Sequence, residues 1–244
     1  MIDELSIIIP TLNEENHLPK LLKSITEQNF KGNLQVTVVD GKSEDKTVAL
    51  AEKFTNIIPG LEILQTKRNI GYQCNRGAEK AKYDLLLFLD ADVILPKNCL
   101  SSLSPKINSN KRFIASVFHQ SSDNNLIDNI FVCVAFGLFF IAKVIGSPVV
   151  PGDFILTTKE NHKKIGGFRE GAVLGEDIDY CLRSYRSGAK YHLYLGTRIL
   201  GSPRRARKIG RLKLLITWIR SFLYVRKHGP IYDKNFLKYS YTRN

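Results

Sequence analysis

The chain has 244 residues, 43% of them hydrophobic and 24% charged, with a formal net charge of +13. That length and balance describe a globular chain of one large domain or a domain with an appendage, and they leave ample residues for a buried core. The charge is uneven: residues 1–202 carry 24 Lys and Arg against 22 Asp and Glu, whereas 203–244 carry 12 against Asp233 alone.

Leu5–Pro10 reads as a first buried strand, followed by a polar turn, Thr11 to Asn16, and a helix with Leu18, Leu21, Leu22 and Ile25 on one face. Gly32-Asn33 breaks the chain before a second strand, Gln35–Val39, which ends in Asp40. The loop Gly41 to Thr47 offers Ser43 as a helix cap, with Lys46 where a capping box prefers Glu, and predicts a helix through Phe54. Leu61–Gln65 is a third strand, and the basic turn Lys67 to Tyr72 starts a helix over Gln73–Lys82. Leu85–Leu89 is an unbroken apolar run, as expected of a strand buried on both faces of a mostly parallel sheet. Strands alternating with helices to this point predict a doubly wound sheet.

The central strand stops at Asp90 and Asp92. In open α/β sheets ligands bind beyond the carboxyl ends of the strands. Mg²⁺ is usually held by one or two carboxylates together with substrate phosphates. A metal–diphosphate site is one reading of this Asp-x-Asp pair; a solvated strand end is the other.

Beyond Asp92 the pattern loosens. Arg112–Phe118 and Phe154–Thr158 read as strands, with the long apolar segment Asn125–Ile145 between them. Lys159–Ile165 is a short helix stopped by Gly166-Gly167, Glu176 opens another that runs to Gly188, and Tyr191–Leu195 is a last strand. No run reaches the roughly 20 continuous apolar residues of a spanning helix, the nearest being Ile130–Ala142. The acidic N-terminus has no signal-peptide pattern, and Cys74, Cys99, Cys133 and Cys181 lack metal-site spacing, so reduced thiols in a cytoplasmic protein are expected.

In the tail, Leu212, Leu215, Ile216, Ile219, Phe222 and Leu223 form one helical stripe, with Arg211, Lys213, Thr217, Arg220 and Ser221 opposite. Such a basic amphipathic helix suits a membrane interface, and core packing is the alternative. With the apolar segment at 130–142, it predicts contact with an anionic membrane surface on its inner face and a greasy entry for a lipid-linked acceptor.

Five segments occur in a recognisable order: Ile-Ile-Pro-Thr-Leu-Asn-Glu-Glu (8–15), Val-Val-Asp-Gly-Lys-Ser-Glu-Asp-Lys-Thr (38–47), Leu-Asp-Ala-Asp-Val (89–93), Ile-Gly-Gly-Phe-Arg-Glu (165–170) and Gly-Glu-Asp-Ile-Asp-Tyr-Cys-Leu-Arg (175–183). Over about residues 5–200 this resembles the family 2 glycosyltransferases, inverting nucleotide-sugar transferases of the GT-A fold. Lys42 is a departure, since many members carry Asp-Asp-Gly-Ser or Asp-Gly-Gly-Ser there.

The resemblance implies a GT-A domain over 1–202 with a basic extension over 203–244. It implies a UDP- or GDP-sugar donor, with Pro10, Thr11, Asn13 and Glu14 lining base and ribose and Asp40 accepting a hydrogen bond from the base. Lys67, Arg68, Asn69 and Gly71 would close over ribose or phosphates, and Arg204 and Arg205 would approach the diphosphate. Asp90 would lie near sugar and metal, and Asp92 on a Mg²⁺ or Mn²⁺, with His119 or His192 as a third ligand. Asp177 is the position of the general base, with Glu176 beside it. The implied acceptor is a lipid-linked or polysaccharide one, with no nucleic acid involved. A sugar-nucleotide pyrophosphorylase, which needs a Gly-rich loop after the first strand, and a non-catalytic membrane- or nucleic-acid-binding module are the competing readings.

Overall fold

The computed structural model describes residues 3–103 and 112–233. Its elements are β1 (Glu4–Thr11), α1 (Leu18–Thr26), β2 (Asn33–Asp40), α2 (Thr47–Glu52), β3 (Leu61–Gln65), α3 (Ile70–Lys80), β4 (Leu85–Leu89), β5 (Val93–Ile94) and β6 (Phe113–Ser121). There follow α4 (Leu126–Val144), β7 (Phe154–Thr158), α5 (Lys159–Lys164), α6 (Glu176–Arg186), β8 (Lys190–Gly201), α7 (Arg204–Ile209) and α8 (Arg211–His228).

They form one eight-stranded sheet in the order β3-β2-β1-β4-β7-β6-β8-β5. The first four strands run parallel, in keeping with the continuous apolar runs of β1 and β4. Strand β7 then enters antiparallel between β4 and β6, placing Phe154 opposite Leu89. Strand β8 returns parallel to β6, with a bulge between Val117 and Phe118. The result is a mixed α/β fold with a mostly parallel sheet and a helical C-terminal part, as expected of a GT-A domain.

Alternation along each strand feeds two cores. Ile7, Ile9, Val36, Val38 and Leu87 pack with α1 on one face. Ile8, Val39, Leu86 and Phe88 meet α3 and α6 on the other. Helix α3 comes so close that a Cβ at Gly77 would lie 2.3 Å from Ile8 Cγ2.

Three expectations change. First, α4 is 19 residues long and, by length and composition, apolar enough to cross a bilayer. The apolar count from Ile130 had omitted Leu126 and Ile127, which precede the acid Asp128. Only Asp128, Ala135, Phe136 and Ala142 of this helix are buried.

Second, α8 docks through the side expected to be polar: Leu214, Thr217, Ser221 and Val225 are buried, while Leu212, Ile216, Ile219 and Leu223 face outward. The small Thr217 and Ser221 let the helix approach closely, and Thr217 Oγ1 satisfies itself on the Lys213 carbonyl at 2.8 Å. Third, the tail shares the core of the body, because Val225 and Ile231 belong to the second cluster. The rest of the expected extension, 234–244, lies outside the described residues.

Candidate active site

The loops after β1 and β2 interlock at the carboxyl edge of the sheet. The Asn13 amide donates to Ser43 Oγ at 2.9 Å, and Asn13 Oδ1 accepts from the Glu44 amide at 2.8 Å. The Glu14 amide donates to Thr47 Oγ1 at 2.8 Å. Ser43 therefore braces this junction and caps no helix, and α2 stops at Glu52, short of Phe54. Asn13 and Lys42 both take left-handed backbone, φ 53° and 66°. Asn tolerates that region and Lys does not favour it, so the departure at Lys42 falls where a glycine would be unstrained.

Asp40 is fully buried, with Oδ2 accepting the Ser43 amide at 2.9 Å and Oδ1 accepting the Ser43 and Thr11 hydroxyls. Its carboxylate shapes the turn. Thr11 and Pro10 are also buried and form the floor. Gln73, unremarked in the sequence, ties that floor together: its Nε2 donates to the carbonyls of Thr11 at 2.8 Å and Val39 at 2.7 Å. Its only sequence signal is a polar residue on the inner face of α3.

Between the interlocked loops and Arg204 opens a crevice of about 400 Å³, lined also by Asn13, Glu15, Asn16, His17, Glu44 and Asp45. The turn after β3 packs against the 168–172 loop. Asn69 Oδ1 caps α3 at the Tyr72 amide (3.0 Å) and also accepts from the Gly171 amide (3.1 Å). A Cβ at Gly71 would lie 2.9 Å from the Arg169 carbonyl oxygen. Both residues thus clamp the 168–172 loop. Lys67 sits 3.9 Å from Glu170 and over the Tyr72 ring, and Arg68 is exposed beside it.

The acids converge where β4 and β7 meet head to tail. The Asp90 amide donates to the Asp153 carbonyl at 3.2 Å. On the next residue back, a Cβ at Gly152 would come within 2.5 Å of Asp177 Oδ2. Asp177, in the first turn of α6, accepts from the Ile178 amide at 2.8 Å. Burial pushes its carboxyl up to about 6; the negative charge of Asp90 adds to the rise and Arg205 opposes it. So strand end and late helix, 87 positions apart in sequence at Asp90 and Asp177, come close enough for their charges to interact.

Arg204 closes the other side, its Nε 3.3 Å from Asp92 Oδ2 and its Nη2 on Glu14 Oε1. Glu14 also pairs with His17 Nδ1 at 3.2 Å. Glu176 opens α6 beside Asp177.

Buried His119 pairs with the half-buried Asp153, Nδ1 to Oδ2 at 2.9 Å, at the site end of β6. His192 is excluded from the site: it lies opposite Ala115, four rungs behind His119, or about 13 Å along the strand. Among the described residues no group of three or more His, Cys, Asp or Glu forms a metal cage. The donor set still fits a divalent cation that takes its remaining ligands from substrate phosphates. Two carboxylates end β4, Asp92 already accepts a guanidinium, and the buried Asp153 Oδ1 has no hydrogen-bond partner.

The Gly152 contact gives a direct test of this geometry. Gly152→Ala should displace the Asp177 carboxylate and lower the turnover number by about 10²-fold. Nucleotide affinity, measured by calorimetry, should stay within a factor of about three of the parent.

Comparison with known proteins agrees with the fold. The profile described as "Glycosyl transferase family 2" matches residues 6–166. The 4,4'-diaponeurosporenoate glycosyltransferase of Staphylococcus haemolyticus is 37% identical over 99 residues, which cover 37% of this chain and 24% of that protein. The GalNAc(5)-diNAcBac-PP-undecaprenol beta-1,3-glucosyltransferase of Campylobacter jejuni is 32% identical over 108 residues, 43% of this chain and 35% of that protein. The chain therefore spans between about a quarter and a third of these relatives. Among solved structures, the mannosyltransferase PcManGT of Pyrobaculum calidifontis, in complex with GDP-Man and Mn²⁺, superposes with a TM-score of 0.64 at 19% identity. That match covers 88% of this chain and 64% of that one. With two thirds of its length matched by the family profile, the chain belongs to glycosyl transferase family 2.

Proposed function

We propose that this chain is an inverting glycosyltransferase that moves a sugar from a UDP- or GDP-linked donor to a lipid-linked acceptor at a membrane surface. The observation that carries the reading is the closeness of Asp177 to Asp90 and Arg205, together with the Arg204–Asp92 ion pair beside them. In this reading the nucleoside lies over Asn13 and the interlocked loops, and the two arginines take diphosphate oxygens, for which a planar fork is suited. Asp90 and Asp92 would hold Mg²⁺ or Mn²⁺, which when bound neutralises charge developing on the diphosphate.

Asp177 accepts the proton of an acceptor hydroxyl as that oxygen attacks the anomeric carbon from the far side. The bond between the anomeric carbon and the diphosphate oxygen breaks, and the nucleoside diphosphate departs with the electron pair. A carboxyl held near 6 suits the task, being ionised at neutral pH yet more basic than an ordinary aspartate.

The acceptor side of the reading rests on α4 and α8. Their outward residues, Ile130, Phe140, Val144, Leu212, Ile216 and Leu223 among them, leave apolar surface uncovered. Phe131 of α4 and Trp218 of α8 stack side by side with ring centroids 5.5 Å apart, joining the two helices into one face. Lys143, Lys213 and Arg220 flank it. An apolar patch rimmed by cations suits peripheral binding to the inner, anionic face of a membrane, where a lipid-linked sugar would be presented. The undecaprenol-linked substrate in the name of the Campylobacter jejuni relative supports the same acceptor class. Residues 1–202 with Arg204 and Arg205 would then carry the donor chemistry, and α4 and the rest of 203–244 the membrane contact, although both share one core.

Calorimetry with UDP and GDP in the presence of Mn²⁺ tests the donor half. One of the two nucleotides should bind, and Asp92→Ala should weaken it at least about tenfold, a loss of roughly 1.4 kcal/mol. A chain that binds neither nucleotide is no transferase of this kind. Hydrolysis of a panel of nucleotide sugars would then name the sugar.

A further inference from the structure

Helix α4 inverts the usual order of a surface helix: its apolar Leu126, Ile127 and Ile130 face out, while its acid, Asp128, is buried at 2% exposure. A buried carboxylate persists only where it is paired. Asp128 Oδ2 accepts from Arg207 Nε at 2.9 Å and from Nη2 at 2.5 Å, and Oδ1 accepts from Arg211 Nε at 2.7 Å. Its own position is rigid. Asn125 caps the helix, accepting from the Ile127 amide at 3.0 Å, and Asn129 Oδ1 takes the Ser121 amide of β6 at 2.9 Å.

Both ends of α7 are thus held by ions. One helical turn separates Arg204, which grips Asp92 and Glu14, from Arg207, which grips Asp128 and Asp123. From this geometry we propose that Asp128 is a positioning residue. By fixing Arg207 and Arg211 it sets α7 across the acid cluster, so that Arg204 and Arg205 meet the donor's diphosphate. The proposal rests on the transferase reading. It adds that the first turn of the outward-facing helix α4 is mechanically joined to the donor site through one carboxylate. The pairing also explains how an acid is tolerated at the start of so apolar a helix, where the helix dipole favours it as well.

The test has a ligand-free and a ligand-bound arm on the full chain. In Asp128→Asn, hydrogen–deuterium exchange over residues 203–210 should accelerate, while the core strands and the emission of the single tryptophan, Trp218, stay as in the parent. Exchange unchanged in this segment overturns the proposal, whatever the chain binds. In the second arm, affinity for the nucleoside diphosphate should fall about tenfold in Asp128→Asn, and affinity for the nucleoside monophosphate should hold.

On an Arg204→Gln, Arg205→Gln background the same Asp128→Asn change should cost nothing further, since it acts through those two side chains. Additive losses would show a purely structural role and overturn the inference. If Asp128→Asn does not fold, Arg207→Gln, on a partly exposed side chain, replaces it in every comparison with the same expectations. Failure of the parent chain to bind any nucleoside diphosphate would sink the transferase reading; a parent that binds, with variants indistinguishable from it, would sink this inference alone.

Discussion

Asp177→Asn should remove between about 10² and 10⁴ of the transfer rate and at the same time stabilise the fold at neutral pH. The two effects have one cause. An aspartate in the unfolded chain titrates at about 3.9, and burial, reinforced by Asp90, holds Asp177 up to about 6 in the folded protein. The folded state therefore prefers the protonated carboxyl and is penalised for the ionised one. Below about pH 4 the group is neutral in both states and costs nothing. The cost grows as pH rises toward 6 and is constant above it, at about 2–3 kcal/mol from the shift. Asn carries no charge, so the variant escapes that cost.

Thermal melts should show Asp177→Asn melting higher at pH 7.5, by about 2–4 °C for each kcal/mol at this chain size, with the gap closing at pH 4. The parent's kcat/KM should fall tenfold per pH unit below an apparent value of about 6. Saturating Mn²⁺, which offsets the charge of Asp90, should move that limb to lower pH. A variant that transfers sugar within a factor of ten of the parent would mean that the acceptor is already an anion and needs no base.

The donor half of the fold was legible because its physics is local. A strand buried on both faces must be apolar throughout, and where Leu85–Leu89 stops at Asp90 the strand end is marked in the sequence itself. Short apolar-rich runs between polar breaks located β1, β2 and β3 to within two residues. The second half depends on which strands become neighbours. Nothing local says that Phe154–Thr158 enters antiparallel, yet that reversal is what delivers Gly152 and Asp153 to Asp90 and puts His119 beside Asp153. Strand β8 was read only as far as Leu195, because the bulge against Val117 and Phe118 breaks its alternation before pairing resumes at Arg198.

Asp40 shows the opposite limit. Its residue type and place suit base recognition, and only the coordinates reveal that Ser43 and Thr11 use both of its oxygens. In α8 periodicity found an apolar stripe but could not choose which side meets the body. Leu214 and Val225 offered a second apolar line, and the small residues between them decided the docking.

That choice of side leads to the second large effect. Replacing Leu212, Ile216 and Leu223 together with Ser should weaken binding to anionic vesicles by about 10²- to 10³-fold while leaving the fold intact. These side chains are 71%, 48% and 56% exposed, so water reaches them and the core does not depend on them. Moving the exposed half of a Leu or Ile out of water is worth about 1 kcal/mol, and three such groups give about 3–4 kcal/mol of membrane affinity. The cations on this helix, Lys213 and Arg220, remain, each worth about 1 kcal/mol near an anionic surface. Residual binding by the variant should therefore be weak and abolished by salt, whereas the parent should keep part of its affinity at high salt through its apolar contacts.

Co-sedimentation with vesicles of mixed neutral and anionic lipid, at low and high salt, reads all four conditions. Trp218, stacked on Phe131 at the seam of the two helices, should shift its emission on vesicle binding only in the parent. If the parent ignores vesicles and sediments as a dimer that the triple substitution dissolves, the apolar face meets a second copy of the chain instead of lipid.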